Sequence, residues 1–246
     1  MTSPSPSPVA RPSFVLVPGY WLGAWAWGAV RDRLTDLGHL SEAITLPGLE
    51  SRDAPRGRVA FSDHVGRVAD AVRLLPDPVV LVAHSGAGAV AAAVTDRLPD
   101  ALARVIYVDS GPVSDGHVPR PDVAEAVTEL PVPSFDELAA LGASSDGLSD
   151  DERARFQELA VAHPAGVVRE PVRLRDPRRH DVPVTLVCCS IPSSTVRELT
   201  AAGAPMFAAL ADLTDLTSVD LPTGHWPMLS RPRALADLLS AEANRA

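Results

Sequence analysis

Hydrophobic residues fall along this chain in two alternating patterns. Short apolar-rich runs recur at residues 14–17, 79–83, 104–108 and 184–189, with a last candidate strand at 216–221 and a weaker run at 43–46. Such runs, rich in Val, Leu and Ile, fit strands buried on both faces, as in a parallel sheet. Between them apolar residues recur every third or fourth position: Val65, Val68, Val72 and Leu75 form one stripe, the spacing of an amphipathic helix. Helices are predicted over about 24–37, closed by Gly38, and over 61–75, capped by Ser62 or Asp63. An alanine-rich helix is expected from Gly88 to about Leu98, with helical pieces over 196–213 and 233–243. Strands alternating with helices predict a mostly parallel, doubly wound α/β sheet.

The alternation breaks once. Residues 113–181 are rich in Pro, Asp and Arg, with short helical pieces near 135–141 and 150–161 and no strong strand. This stretch reads as a lid inserted at the C-terminal edge of the sheet, where such folds place their sites. The division is then a Ser/Pro-rich disordered tail at 1–12, a core of 13–112 and 182–246, and a lid of 113–181. No internal repeat is visible.

Composition narrows the chemistry. The 246 residues suit one domain with an insertion, and the formal net charge of −9 argues against a nucleic-acid partner. All 22 basic residues are arginine, which excludes a Schiff-base lysine, a Walker-type phosphate loop and a Ser-Lys dyad. Cys188 and Cys189 are adjacent, a strained geometry for a disulfide, so a reducing, cytoplasmic setting is expected. The tail lacks the apolar core of a signal peptide, and no apolar run is long enough to span a membrane. The seven histidines are scattered, without metal-ligand spacing. A small-molecule substrate is the expected partner, with no metal or cofactor; a homodimer stays open.

The strongest local signal is the strand at 79–83 running into His84-Ser85-Gly86-Ala87-Gly88 and then a helix. A serine on a sharp strand-to-helix turn projects its hydroxyl above the sheet edge, and small neighbours are needed because the backbone is tight. Ala83 and Ala87 stand where glycine is usual. The turn sets the Gly86 N–H at a helix N-terminus, where it can donate to an oxyanion. A serine nucleophile needs a base, and His225, in Gly224-His225-Trp226-Pro227 between the last strand and last helix, is positioned for it. His84 points away from its neighbour and reads as a packing or hydrogen-bonding residue. Asp109, ending the strand at 104–108, is the candidate acid, with Asp215 and Asp220 as alternatives. After the first strand, Gly19 lets the backbone approach a reacting carbonyl, and the Tyr20 N–H is the second oxyanion donor. Trp21 and Trp226, with Gly19, are expected to contact substrate. Arg169, Arg173, Arg175, Arg178 and Arg179 either hold a carboxylate or, as such runs more often do, form a solvated face paired to Glu170, Asp176 and Asp181.

The order of Pro-Gly loop, serine turn, Asp, lid and Gly-His resembles the α/β-hydrolase superfamily over about residues 13–243. Residues 16–27, LVPGYWLGAWAW, are similar to the plant methylesterase and hydroxynitrile lyase branch, which usually carries His-Gly in place of Pro18-Gly19. In many such enzymes the acid follows the strand at 184–189, yet the loop there, Ser190-Ile191-Pro192-Ser193-Ser194, offers no carboxylate. An acid at Asp109 instead resembles haloalkane dehalogenases and zearalenone-type lactonases. The resemblance implies an α/β-hydrolase fold and a serine esterase or lactonase working through an acyl-enzyme. A lyase or cyclase using the same Ser/His pocket is the alternative.

Overall fold

The computed structural model describes residues 11–245; residues 1–10 of the expected tail lie outside the described residues. Six strands form one parallel sheet: β1 (Ser13–Val17), β2 (Ser41–Ala43), β3 (Val79–His84), β4 (Arg104–Val108), β7 (Val184–Cys188) and β8 (Leu216–Asp220), in the order β2-β1-β3-β4-β7-β8. Strands β5 (Glu129–Leu130) and β6 (His163–Pro164) form a separate antiparallel pair. The chain moves from β1 outward to β2, then returns across β1 to β3. Strand order therefore reverses between β1 and β3, and the crevice beyond their C-terminal ends is where such sheets bind ligands.

The central strands β1, β3, β4 and β7 are buried at every position and mostly apolar because both faces are covered. Side chains alternate across a strand: Val15, Val17, Leu81 and Tyr107 join one core with helices α2 (Phe61–Leu74) and α3 (Gly88–Arg97). Phe14, Leu16, Val82 and Ile106 join the other, beneath α1 (Gly28–Asp36) and α9 (Pro232–Ala243). Between β4 and β7 lie α4 (Phe135–Ala140), α5 (Asp150–Leu159) and α6 (Ala165–Arg169) together with the β5–β6 pair. Helices α7 (Ser193–Ala201) and α8 (Pro227–Ser230) precede β8 and α9 respectively. No helix among the described residues is long and apolar enough to cross a membrane.

Three sequence-based boundaries shift. The helix expected at 24–37 opens as a tight 3-10 turn, Ala24–Trp27, which buries Trp27 fully before α1 begins. The strand expected at 43–46 pairs over Ser41–Ala43 instead. Ile44, whose N–H still donates to the Leu16 carbonyl at 2.9 Å, and Leu46 are buried as pegs in the core shared with α2, beyond the end of the strand. The helical stretch expected at 196–213 is split at Gly203, whose φ of 72° ends α7, and resumes as the 3-10 segment Pro205–Asp212. The short β5–β6 pair is an addition that a Pro-rich sequence conceals.

Leu81 sits fully buried at the centre of β3, opposite Val15 and Val105. Leu81→Ala is expected to lower stability by about 2–5 kcal/mol, read as a shifted urea midpoint with an unchanged slope.

Candidate active site

Strand β3 runs directly into the 3-10 turn Ser85–Ala87 and then α3. Ser85 takes the left-handed backbone conformation, φ 52°, which costs on the order of 1–3 kcal/mol for a side-chain-bearing residue. Little space remains around it. A Cβ on Gly86 would lie 2.3 Å from the Tyr20 ring, and one on Gly19 would lie 2.9 Å from both His84 Nδ1 and Ser85 Cβ. Both positions therefore admit only glycine while the first loop stays seated. The Ser110 hydroxyl donates to the Ser85 carbonyl at 2.6 Å, pinning the turn from the β4 side.

Ser85, His225 and Asp109 come together from the ends of β3, β8 and β4. Ser85 Oγ lies 2.7 Å from His225 Nε2, and His225 Nδ1 lies 2.6 Å from Asp109 Oδ2. A carboxylate only accepts, so Nδ1–H donates to Asp109 and Nε2 is left to accept the serine proton. Asp109 retains 7% side-chain exposure, and its Oδ1 receives the Cys189 and Ser190 N–H groups at 3.2 and 2.9 Å. The Ser190 hydroxyl donates to Oδ2 at 2.6 Å. Burial pushes this carboxyl up, but the hydrogen bonds from His225 and Ser190 outweigh it and hold the pKa at about 2.

His225 is held by its backbone as well. The fully buried His84 donates Nε2–H to the His225 carbonyl at 2.7 Å; burial lowers the His84 pKa to about 3 and keeps the ring neutral. The His225 N–H donates to the Ser144 carbonyl at 2.7 Å and the Gly224 N–H to the Asp146 carbonyl at 3.0 Å, so the β4–β7 insertion grips this loop.

A cavity of about 450 Å³ opens over Ser85 and His225. Tyr20, Trp21 and Trp226 line it, as do Leu138, Leu141 and Arg120. Trp21 is held with φ 66°, and its indole N–H donates to the Leu130 carbonyl at 3.2 Å. The buried Trp226 packs against Phe156 and Phe135. Gly19 does not border this cavity; it lies behind Ser85, against His84. The Tyr20 ring lies against the backbone of Gly86 beside Ser85.

The alternative acids stand elsewhere. Asp215 is exposed and precedes β8, at the end of the strand opposite the site. Asp220 accepts from the Ser193 N–H and hydroxyl, both at 2.7 Å, at the start of α7. The arginine cluster is a structural surface: Arg169 ties the carbonyls of Ala124, Glu125 and Val127, while Arg178 and Arg179 pair with Asp176, Asp100 and Asp96. None of them borders the cavity over Ser85. The cation that does is Arg120, paired through two nitrogens with Asp122. Neither Arg120 nor Ser190 carried a sequence signal, since one lies in the Pro-, Asp- and Arg-rich insertion and the other in a loop without a carboxylate.

A family model described as the alpha/beta hydrolase family matches residues 14–238. The chain belongs to the alpha/beta hydrolase family. It is similar to methylesterase 2 of Arabidopsis thaliana, 29% identical over 143 residues that cover 55% of this chain and 54% of that protein. It is similar also to the carbendazim hydrolyzing esterase of Nocardioides sp. (strain SG-4G), 31% identical over 100 residues, 40% of this chain and 41% of that protein. The chain spans about half or less of the length of the curated relatives it matches. Among solved structures, an extracellular alpha/beta-hydrolase from a Paenibacillus species superposes with a TM-score of 0.73 at 19% identity, over 96% of this chain and all of that one. A pyrethroid hydrolase from Sphingobium faniae JZ-2 superposes with a TM-score of 0.69 at 19% identity, over 96% and 98%. These likenesses place the fold.

The depressed Asp109 pKa has a signed consequence. Its folded value of about 2 lies below the ordinary 3.8, so the stability it contributes is complete above about pH 4 and is lost as pH falls through about 2. The gap in urea midpoint between the wild type and Asp109→Asn is expected to hold steady at neutral pH and narrow below about pH 4. A gap that is flat across that range contradicts the assignment.

Proposed function

We propose that the protein is a serine hydrolase that cleaves a carboxylic ester or lactone of a small organic molecule through an acyl-enzyme. The observation that carries this reading is the continuous hydrogen-bonded chain from Ser85 through His225 to Asp109, with Ser85 and His225 on the floor of the 450 Å³ cavity. Ser85 Oγ attacks the carbonyl carbon as its proton passes to His225 Nε2. Asp109 holds the imidazole in the accepting tautomer and stabilises the imidazolium. The N–H groups of Tyr20 and Gly86 serve the oxyanion, each such donor being worth about 10²–10³ in rate. The imidazolium then protonates the departing oxygen, and a water deprotonated by His225 releases the acid from Ser85. With no lysine in the chain, no ammonium or amine base competes for that role.

The cavity walls suit an uncharged, partly aromatic substrate: Trp21, Trp226, Leu138 and Leu141 dominate, and the Arg120 charge is already paired with Asp122. The names of the relatives, a methylesterase, a carbendazim hydrolyzing esterase and a pyrethroid hydrolase, support ester cleavage.

A fluorophosphonate probe is expected to label Ser85 and to fail on Ser85→Ala, and p-nitrophenyl esters to give an acyl-enzyme burst. Asp109→Asn is expected to lower kcat by about 10⁴ through the wrong imidazole tautomer, with the circular dichroism spectrum unchanged. Turnover that survives Ser85→Ala, with no acyl-enzyme detectable by mass spectrometry, would favour the lyase chemistry instead.

A further inference from the structure

The imidazole of His225 stands between two cavities of nearly equal size. One is the 450 Å³ cavity, which borders both Ser85 and His225. The other, about 430 Å³, borders His225 and Asp109 but not Ser85. Leu141 and Gly142 line both, so this one turn of the insertion divides them. A smaller space of about 160 Å³ beside Ser85 shares Ser110 and Gly111 with the second cavity, which continues the path past the nucleophile.

The second cavity is apolar. Leu186, Ile191, Val196, Met206, Phe207 and Leu210 form its walls, and its only charged lining groups are Asp109 and, when protonated, His225. At its edges Met206 and Leu141 leave 67% and 66% of their surfaces in water, a cost that an apolar occupant would relieve. Met206, Phe207 and Leu210 ride on the eight-residue 3-10 segment Pro205–Asp212, and 3-10 runs of more than about four residues are uncommon.

Resting on the hydrolase reading above, we propose that this second cavity is the subsite for the alcohol part of the ester, and that the substrates are esters of extended, uncharged apolar alcohols. The assignment follows from where atoms must go. The acyl carbon bonds to Ser85 Oγ, so the acyl group occupies the larger of the two spaces that border Ser85. When the C–O bond breaks, its electron pair stays on the alcohol oxygen, which takes the proton that His225 Nε2 received from Ser85. The alcohol leaves neutral, and the acyl group remains on Ser85. In this placement the carbon skeleton of the alcohol extends past the imidazole, into the space that His225 borders and Ser85 does not. A methyl ester leaves that space empty, and a small lactone, whose alcohol is tethered to its acyl group, cannot fill both cavities.

Two isomeric esters separate the subsites at constant overall hydrophobicity: octyl acetate, with a long alcohol, and methyl nonanoate, with a long acyl chain. For the wild type, kcat/KM of alkyl acetates is expected to rise with alcohol length, by up to about fourfold per methylene that becomes buried. Ile191→Trp and, independently, Val196→Phe reduce the space, and each is expected to lower the ratio of kcat/KM for octyl acetate over methyl nonanoate by about tenfold. Ile191 is 36% exposed, so the first variant has little folding risk, and a thermal melt checks both. A ratio that changes by less than about twofold, or rises, in a folded variant overturns the subsite. So does an acetate series that is flat in the wild type. Absence of ester turnover together with absence of Ser85 labelling would instead overturn the hydrolase reading itself.

Discussion

The site depends on one constraint, the close approach of three loop backbones at the C-terminal edge of the sheet. Trp21, Ser85 and Asp109 are the three non-glycine residues with positive φ among the described residues, at 66°, 52° and 44°. They follow β1, β3 and β4, which are neighbours in the sheet. Each such conformation costs on the order of 1–3 kcal/mol and persists only where the surroundings over-determine it. Here the strands are clamped between two apolar cores, and the loops are cross-linked above them. Ser110 binds the Ser85 carbonyl, Ser190 binds Asp109, and Tyr20 lies on the bare backbone of Gly86. The strain is what aims Ser85 Oγ and the Asp109 carboxylate at a single imidazole.

The insertion between β4 and β7 completes that arrangement as well as covering it. It meets the first loop where the Val161 N–H donates to the Trp21 carbonyl at 3.0 Å and where the His163 ring packs 4.5 Å from Tyr20. It meets the last loop where the Ser144 and Asp146 carbonyls receive the His225 and Gly224 N–H groups. Residues far apart in sequence thus fix the two loops on either side of Ser85. The same insertion contributes Leu141 and Gly142, which line both cavities, so one segment both holds the His225 loop and shapes the space around it.

Much of the core was readable because its cause is local. Runs such as Val79–Ala83 are apolar throughout since both faces of a parallel strand are buried, and this pattern needs no knowledge of neighbours. The glycines and alanines around Ser85 mark a tight turn for the same reason. Ile44 and Leu46 misled because burial alone does not distinguish a strand from a loop peg. The arginine run at 169–179 reads in one dimension most simply as a paired, solvated face, and folding adds partners that the local sequence does not show: Arg178 and Arg179 reach Asp100 and Asp96 on another segment. Arg120 and Ser190 are ordinary in sequence and matter only through what folding sets beside them.

The sequence by itself determined the parallel α/β sheet, the serine turn and the return of a histidine after the last strand, because periodicity and backbone tightness are short-range. It also narrowed the chemistry by omitting lysine altogether. Only the tertiary structure shows which of Asp109, Asp215 and Asp220 meets His225: strand order brings the end of β4 within 2.6 Å of it and leaves Asp215 at the opposite sheet edge. It alone set two cavities against one imidazole, because their walls are drawn from the insertion, α7 and the segment before β8, which meet only when the sheet has closed beneath them.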